Sequence, residues 1–368
     1  MERALARSRD RLEATRPTRR RIRLMIVDDS MVARAVLSRM IESDGQFEIV
    51  AVAGTAEDAI EALQSIRVDV ILLDLEMPGA GGLKSIPQII ASAAGARIMI
   101  VSSLADEGAE ETVAALALGA ADTLPKPGTG RFNGRFSEIL LGKLKALGDS
   151  GPHIVPPPPR DLALANSLRV MPVDPIDILA IGASTGGIHA LGTLFQHLPK
   201  RIGIPILITQ HLPAPFMTVF ARQLGAVAER EALVAHDGME LFPDRMIIAP
   251  GDAHLTVEMF GGAPVVRLTT GASSSGCLPS LDPMLESVGA VYGEAGLGVV
   301  LTGMGRDGVE GAGHLVASGG SILAQDSASC AVWGMPRAVL EAGLAYAVMP
   351  PDKLARRIAS RTGDSGCR

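Results

Sequence analysis

Apolar positions in the first 150 residues alternate between two rhythms. Residues 22–27 form a short apolar run of the kind that makes a buried strand. Apolar side chains then recur at helical spacing, at Val32, Val36 and Met40 and at Ala33, Leu37 and Ile41, predicting a helix over 31–41. The same alternation continues with strands over 47–53, 68–73, 97–101 and 122–124. Helices are expected over 56–66, 83–94, 107–118 and 135–147. Five β-α units predict a doubly wound parallel sheet, whose ligand site lies at the carboxyl ends of its strands.

A second block repeats this logic. Strands are expected over 176–181, 204–210, 246–249, 297–302 and 321–324, and helices over 188–198, 216–224, 284–292, 311–317 and 354–358. A β-rich section over 254–268 reads as a hairpin. The fold class is therefore α/β, with two doubly wound domains: an N-terminal five-strand parallel unit and a larger, mainly parallel C-terminal one. Between them, Pro152, the run Pro156–Pro159, Pro172 and Pro175 mark an extended spacer. The predicted division is a basic, disordered arm (1–21), a first domain (22–147), a Pro-rich linker (148–175), a second domain (176–361) and a tail (362–368). The stretch 162–168 inside the linker is helix-capable.

Composition narrows the function. Of 368 residues, 47% are apolar and 3% aromatic, which argues against a base-stacking nucleic-acid surface. The net charge is -6, although residues 1–23 carry nine Arg against Glu2, Asp10 and Glu13. The second block offers no basic recognition helix, so no nucleic-acid partner is expected. Cys277, Cys330 and Cys367 form no CxxC or CxxH pair. With no apolar run of about 18 residues and no secretory signal, a cytoplasmic protein without membrane insertion is expected.

The chemistry-bearing residues of the first block cluster at strand ends. Asp28 and Asp29 follow the first strand, Asp74 the third, Ser102 the fourth and Lys126 the fifth. Strand-end aspartates are ordinary turn formers, yet three carboxylates on one edge repel one another unless a cation joins them. Hard oxygen donors suit Mg²⁺. Asp74 would then be a nucleophile towards a phosphoryl group, with Lys126 neutralising charge and the Ser102 hydroxyl bonding a phosphoryl oxygen. With Asp74-Leu-Glu-Met-Pro78 and Lys126-Pro127, residues 22–147 resemble the receiver domain of bacterial two-component response regulators. The resemblance implies Asp74 as phosphoacceptor, a histidine kinase as phosphodonor, and Mg²⁺ held by Asp28, Asp29, Asp74 and the Glu76 carbonyl. Thr123 departs from the pattern, standing where many receivers carry an aromatic switch residue.

In the second block, Ile181-Gly-Ala-Ser-Thr-Gly-Gly187 follows a strand and opens a helix. It satisfies G-x-S-x-G, which sets a serine on a sharp turn; the alternative is a glycine-rich turn holding an unreactive serine. A dinucleotide loop would need Gly in place of Ser184, and a phosphate loop a following Lys. A nucleophilic serine needs a base, for which His153, His189, His197, His211, His236, His254 and His314 compete. Spacing favours His211, which follows the next strand on the same edge. Asp307 arrives there after the strand over 297–302, either orienting the imidazole or capping the next helix.

These stretches, with Gln210-His-Leu-Pro213, Ile248-Ala-Pro-Gly251, His254-Leu255, Pro279-Ser-Leu-Asp-Pro-Met-Leu285, Leu301-Thr-Gly-Met-Gly305 and Gly334-Met-Pro336, resemble the catalytic domain of the chemotaxis protein-glutamate methylesterases. The resemblance implies Ser184, His211 and Asp307 as the catalytic triad, supported by Thr185 and Met304. It implies demethylation of glutamate γ-methyl esters and deamidation of glutamines on methyl-accepting chemoreceptors, with no cofactor for the hydrolysis. Met217 stands where a Thr is more usual. Two rivals remain at this stage: a phosphorylation-dependent receptor-binding module with a vestigial triad, and a receiver-controlled hydrolase of another target.

Overall fold

The computed structural model describes residues 20–79, 81–102, 106–126, 134–149, 168–169 and 175–362. Residues 1–19 of the expected arm, most of the linker with all but Leu168 of its helix-capable stretch, and all but the first residue of the tail lie outside the described residues. Pro127 and Cys367 do too.

Strands β1 (Ile22–Val27), β2 (Phe47–Ala53), β3 (Val70–Leu73), β4 (Arg97–Ser102) and β5 (Asp122–Pro125) form one sheet in the order β2-β1-β3-β4-β5. Every neighbouring pair is parallel. Helices α1 (Met31–Glu42), α2 (Ala56–Leu63), α3 (Gly82–Ser92), α4 (Asp106–Ala117) and α5 (Gly134–Asp149) alternate with the strands. Helices cover both faces, so a central strand such as β3, Val-Ile-Leu-Leu, is buried throughout. Local chemistry starts the helices: Ser30 and Thr55 accept N–H bonds from Ala33 (3.3 Å) and Asp58 (3.1 Å) as N-caps.

The second sheet holds seven parallel strands: β6 (Ile178–Ala183), β7 (Ile206–Gln210), β8 (Ala232–Val234), β9 (Met246–Ile248), β12 (Gly296–Val300), β13 (Ser321–Gln325) and β14 (Ala347–Met349). Their order is β14-β13-β12-β6-β7-β9-β8. Strands β10 (His254–Phe260) and β11 (Ala263–Thr269) pair antiparallel as the expected hairpin. Helices α6 (Gly187–His197), α7 (Ala214–Ala228), α8 (Leu281–Tyr292), α9 (Val309–Ala317), α10 (Met335–Glu341) and α11 (Pro351–Ala359) complete the unit. Sequence periodicity missed β8, β14 and α10. The two strands have three residues each and stand at the sheet's ends, and α10 is a seven-residue helix entered through Pro336. Such short segments carry no measurable period.

Chain order reverses beside β6: β7 lies on one side and β12 on the other. That switch point is where the carboxyl ends of neighbouring strands splay into a crevice. Among the described residues, no helix is long and apolar enough to cross a membrane. The two units also pack on each other. Helix α4 lies against α6 and α7, and one buried apolar cluster runs from Val113 and Leu116 into Leu191 and Phe220.

Candidate active site

The β1, β3 and β5 ends deliver the first cluster. Lys126 Nζ reaches Asp74 Oδ2 at 2.6 Å and Asp28 Oδ2 at 3.1 Å. Carboxylate oxygens of Asp28, Asp29 and Asp74 lie within 4.8 Å of one another. Burial pushes the Asp74 carboxyl pKa up, the Asp28 charge adds to that, and Lys126 pulls the other way. Burial disfavours the Lys126 ammonium, but its bonds to Asp74 and the nearby Asp28 outweigh this and hold its pKa above the usual lysine value. Asp28 Oδ2 is buried and, among the described residues, accepts no well-formed hydrogen bond, only the ion-pair contact with Lys126. That orphaned oxygen and the all-carboxylate donor set fit a hard divalent cation. Glu76 joins through its backbone, its N–H donating to Asp74 Oδ1 at 3.3 Å. The Ser102 hydroxyl is hydrogen-bonded to Thr112 Oγ1 (2.7 Å).

The second cluster sits at the switch point. Ala183 and Gln210 are register partners at the ends of β6 and β7, so Ser184 and His211 are the next residues on adjacent strands. Parallel strands run about 4.8 Å apart, which sets the two side by side. The serine's turn is tight: Gly186 takes φ +78° at the head of α6, where an added Cβ would also meet Ala331 Cβ at 2.4 Å. Gly303 approaches equally closely, since a Cβ there would lie 2.7 Å from Ser184 Cβ. Gln210 Nε2 donates to the Ser184 carbonyl (2.9 Å) and Ser184 N–H to Thr302 O (3.0 Å). Among the described residues, no hydrogen bond engages the Ser184 hydroxyl.

His211 Nε2 lies 2.8 Å from Asp307 Oδ2. Asp307 is buried, and its other bonds come from Leu281 N (2.7 Å), Ser275 Oγ (2.6 Å) and Ser280 Oγ (2.5 Å). Burial pushes its carboxyl pKa up, but the bond to and charge of His211, with the Ser275 and Ser280 hydroxyls, outweigh this and hold it well below the usual carboxylate range. Burial works against the His211 imidazolium, yet hydrogen bonds to Asp307 and Cys277 raise its pKa to about 9. The helix after Asp307 has Gly308 as its N-cap, and Asp282 Oδ1 accepts from Gly311 N (2.8 Å) inside it. Met304 stands 41% exposed at the rim of a cavity of about 480 Å³, which Cys277 and Asp307 also line.

Thr185, expected to support the catalytic site, follows Ser184 in the same turn. Its hydroxyl donates to Asp122 Oδ2 of the first sheet at 2.6 Å, and both side chains are buried. The next amide, Gly186 N–H, donates to Ala121 O at 2.6 Å. Arg97 Nη2 to Cys330 O (3.1 Å) adds a third cross-unit bond. The start of β5 is thus tied to the turn carrying Ser184.

Periodicity did not single out Asp122, Ser275, Cys277 or Ser280 as site residues. Ser280 lay inside a matching motif, and its N–H donates to His254 Nδ1 (2.9 Å), which left a signal without a role. Ser275 and Cys277 come from an irregular segment between β11 and α8, where no period exists to read.

Comparison with known proteins covers both units. The family model for CheB methylesterase matches residues 179–358, and that for the response regulator receiver domain matches residues 24–131. A protein-glutamate methylesterase/protein-glutamine glutaminase of Azospirillum brasilense is 39% identical, over 92% of this chain and 93% of its own. The second such protein of Caulobacter vibrioides is 41% identical, over 92% of this chain and 99% of its own. The crystal structure of the Thermotoga maritima CheB methylesterase catalytic domain is 35% identical and covers 50% of this chain and 97% of its own, with a TM-score of 0.49.

Proposed function

This chain belongs to the CheB methylesterase family and carries a response regulator receiver domain, and from that premise we propose that Ser184, His211 and Asp307 hydrolyse glutamate γ-methyl esters on chemoreceptors. The protein is the adaptation hydrolase of two-component chemotaxis signalling, a protein-glutamate methylesterase and protein-glutamine glutaminase. The observation that carries the residue assignment is the 2.8 Å bond from His211 to Asp307, with Ser184 at the same level just past the end of the adjacent strand.

Ser184 Oγ attacks the ester carbonyl while His211 takes its proton and Asp307 holds the imidazole. His211 then returns the proton to the departing methoxide, so methanol leaves. Water, deprotonated by the same base, releases the glutamate. A glutamine side chain loses ammonia by the same steps. The tetrahedral oxyanion forms beside the N-terminus of α6, where backbone N–H groups and the helix dipole favour negative charge. The decisive assay is methanol release from methylated receptor membranes, with and without a phosphodonor and Mg²⁺. Release that rises on phosphorylation supports the reading; none from folded protein would leave a binding module.

Only neutral imidazole accepts the serine proton. With His211 held at about 9, its base form is scarce at neutral pH and grows as pH rises. Turnover corrected for spontaneous hydrolysis should therefore climb through about pH 9 and level off above it. A flat profile between about pH 7 and 10 would contradict the base assignment.

Asp74 is the phosphoacceptor in this reading, with a histidine kinase as donor. Asp28, Asp29 and Asp74, with the Glu76 carbonyl, would hold Mg²⁺, which would supply positive charge beside the phosphoryl oxygens. Lys126 orients the Asp74 carboxylate, and Ser102 turns from Thr112 to the new phosphoryl oxygen. Regulation follows from the β5 contact. Thr185 and Gly186 directly follow the nucleophile, and Asp122 and Ala121 occupy their donors, so the docked receiver withholds the catalytic turn. Asp122→Ala should raise the unphosphorylated rate within the about 5–150-fold span usual for such couplings. A folded variant whose resting rate equals the parent's would remove Asp122 from the switch.

A further inference from the structure

Three donors of different character meet beside the esterase base. A ring nitrogen of His211, Sγ of Cys277 and a carboxylate oxygen of Asp307 lie within 4.8 Å of one another. Cys277 is a free, half-buried thiol, and the His211 side chain keeps 16% of its surface exposed. The cavity of about 480 Å³ lined by Cys277, Met304, Arg306, Asp307 and Glu310 opens onto this cluster, giving a hydrated ion a way in. Hydrolysis as derived above uses His211 and Asp307 but leaves the thiol without a task.

We infer that His211, Cys277 and Asp307 form an inhibitory site for a thiophilic divalent cation, with Zn²⁺ the best fit. A mixed nitrogen, sulfur and oxygen set with one open position is the tetrahedral pattern zinc adopts. Bond lengths of about 2.0–2.3 Å place donors about 3.3–3.6 Å apart on one ion, so side-chain shifts of about 1 Å close the site. Mg²⁺ and Ca²⁺, which prefer oxygen, are directed instead to the carboxylates at Asp28, Asp29 and Asp74. On binding, the Cys277 thiol releases its proton to solvent and the metal takes the imidazole lone pair. Ser184 then has no base, and hydrolysis stops until the ion is removed. That silencing rests on the reading of His211 as base; the binding itself does not.

The test uses the full chain and Co²⁺ as a spectroscopic stand-in for Zn²⁺. Bound Co²⁺ should produce a thiolate-to-cobalt absorption that Zn²⁺ displaces. The band should vanish in Cys277→Ser and persist in Cys367→Ser. A three-carboxylate site cannot produce it, so the receiver pocket does not confound the readout. In parallel, Zn²⁺ should suppress methanol release and a chelator should restore it. Each variant is read against its own metal-free rate, and Cys277→Ser should need about 10–100-fold more Zn²⁺, at least the loss that follows removal of a supporting partner. No thiolate band in the parent, or a band that survives in Cys277→Ser, would overturn the site. A Cys277-dependent band with undiminished turnover would overturn the inhibitory role and, with it, the reading of His211 as base. Failure of the esterase reading itself would show separately, as no methanol release before any metal is added.

Discussion

Alanine in place of Ser184 is expected to leave a folded protein whose methanol release falls by about ten-thousand-fold or more, towards what binding and oxyanion stabilisation alone sustain. Folding should survive because no hydrogen bond engages the hydroxyl among the described residues, so its loss strands no buried partner. The bonds that hold the turn are backbone ones: Ser184 N–H to Thr302 O and Gln210 Nε2 to Ser184 O. Methanol release and a thermal melt on the same preparation check both halves. A retained rate would move the nucleophile elsewhere, and a collapsed melt would reveal a structural role for the hydroxyl.

Asp307→Ala should cost both activity and stability. The carboxylate receives bonds from His211 Nε2, Leu281 N–H and the hydroxyls of Ser275 and Ser280. Its removal leaves a largely enclosed imidazole without its counter-charge, strands the Leu281 N–H, and takes the shared acceptor from the Ser275 and Ser280 hydroxyls. Breaking such a pair costs about 3–5 kcal/mol, and the loss of the group that orients the base costs about ten-thousand-fold in turnover. The stability gap between parent and variant should depend on pH at both ends. Asp307 is shifted down, so its part is present above the ordinary value of 3.8 and is lost on acidification. His211 is shifted up, so its part is full below the ordinary 6.5 and is lost as pH passes about 9. Denaturation at pH values across this range, with turnover alongside, measures both. An alanine variant as stable as the parent would mean that the pair contributes nothing to the fold.

Much of this architecture was legible because its key side chains follow apolar runs directly. Asp28 and Asp74 come one residue after β1 and β3, and Ser184 and His211 one residue after β6 and β7. A correct strand therefore placed each on the right edge. The resemblance of both halves to receiver and methylesterase families agrees with the comparisons. What escaped was held by contacts distant in sequence. Asp122 and Thr185 are 63 residues apart, and neither position announces the other. Ser275 and Cys277 belong to a segment with no regular period, positioned only when α8 and the hairpin pack. Strands β8 and β14 were too short to show alternation.

Strand β5 has four residues, Asp122–Pro125, and spans about 13 Å. At its carboxyl end Lys126 grips Asp74; at its amino end Asp122 and the adjacent Ala121 hold the turn beside the nucleophile. One rigid segment thus has a hand in each site, and Thr123 within it supplies no aromatic ring to act as a separate messenger. Thermodynamic reciprocity then runs the signal backwards as well as forwards. Whatever factor phosphorylation contributes to freeing the cleft, a receptor segment lodged in the freed cleft returns to the phosphorylated state. In the proposed scheme the substrate is therefore an effector of the receiver as well as the target of the esterase.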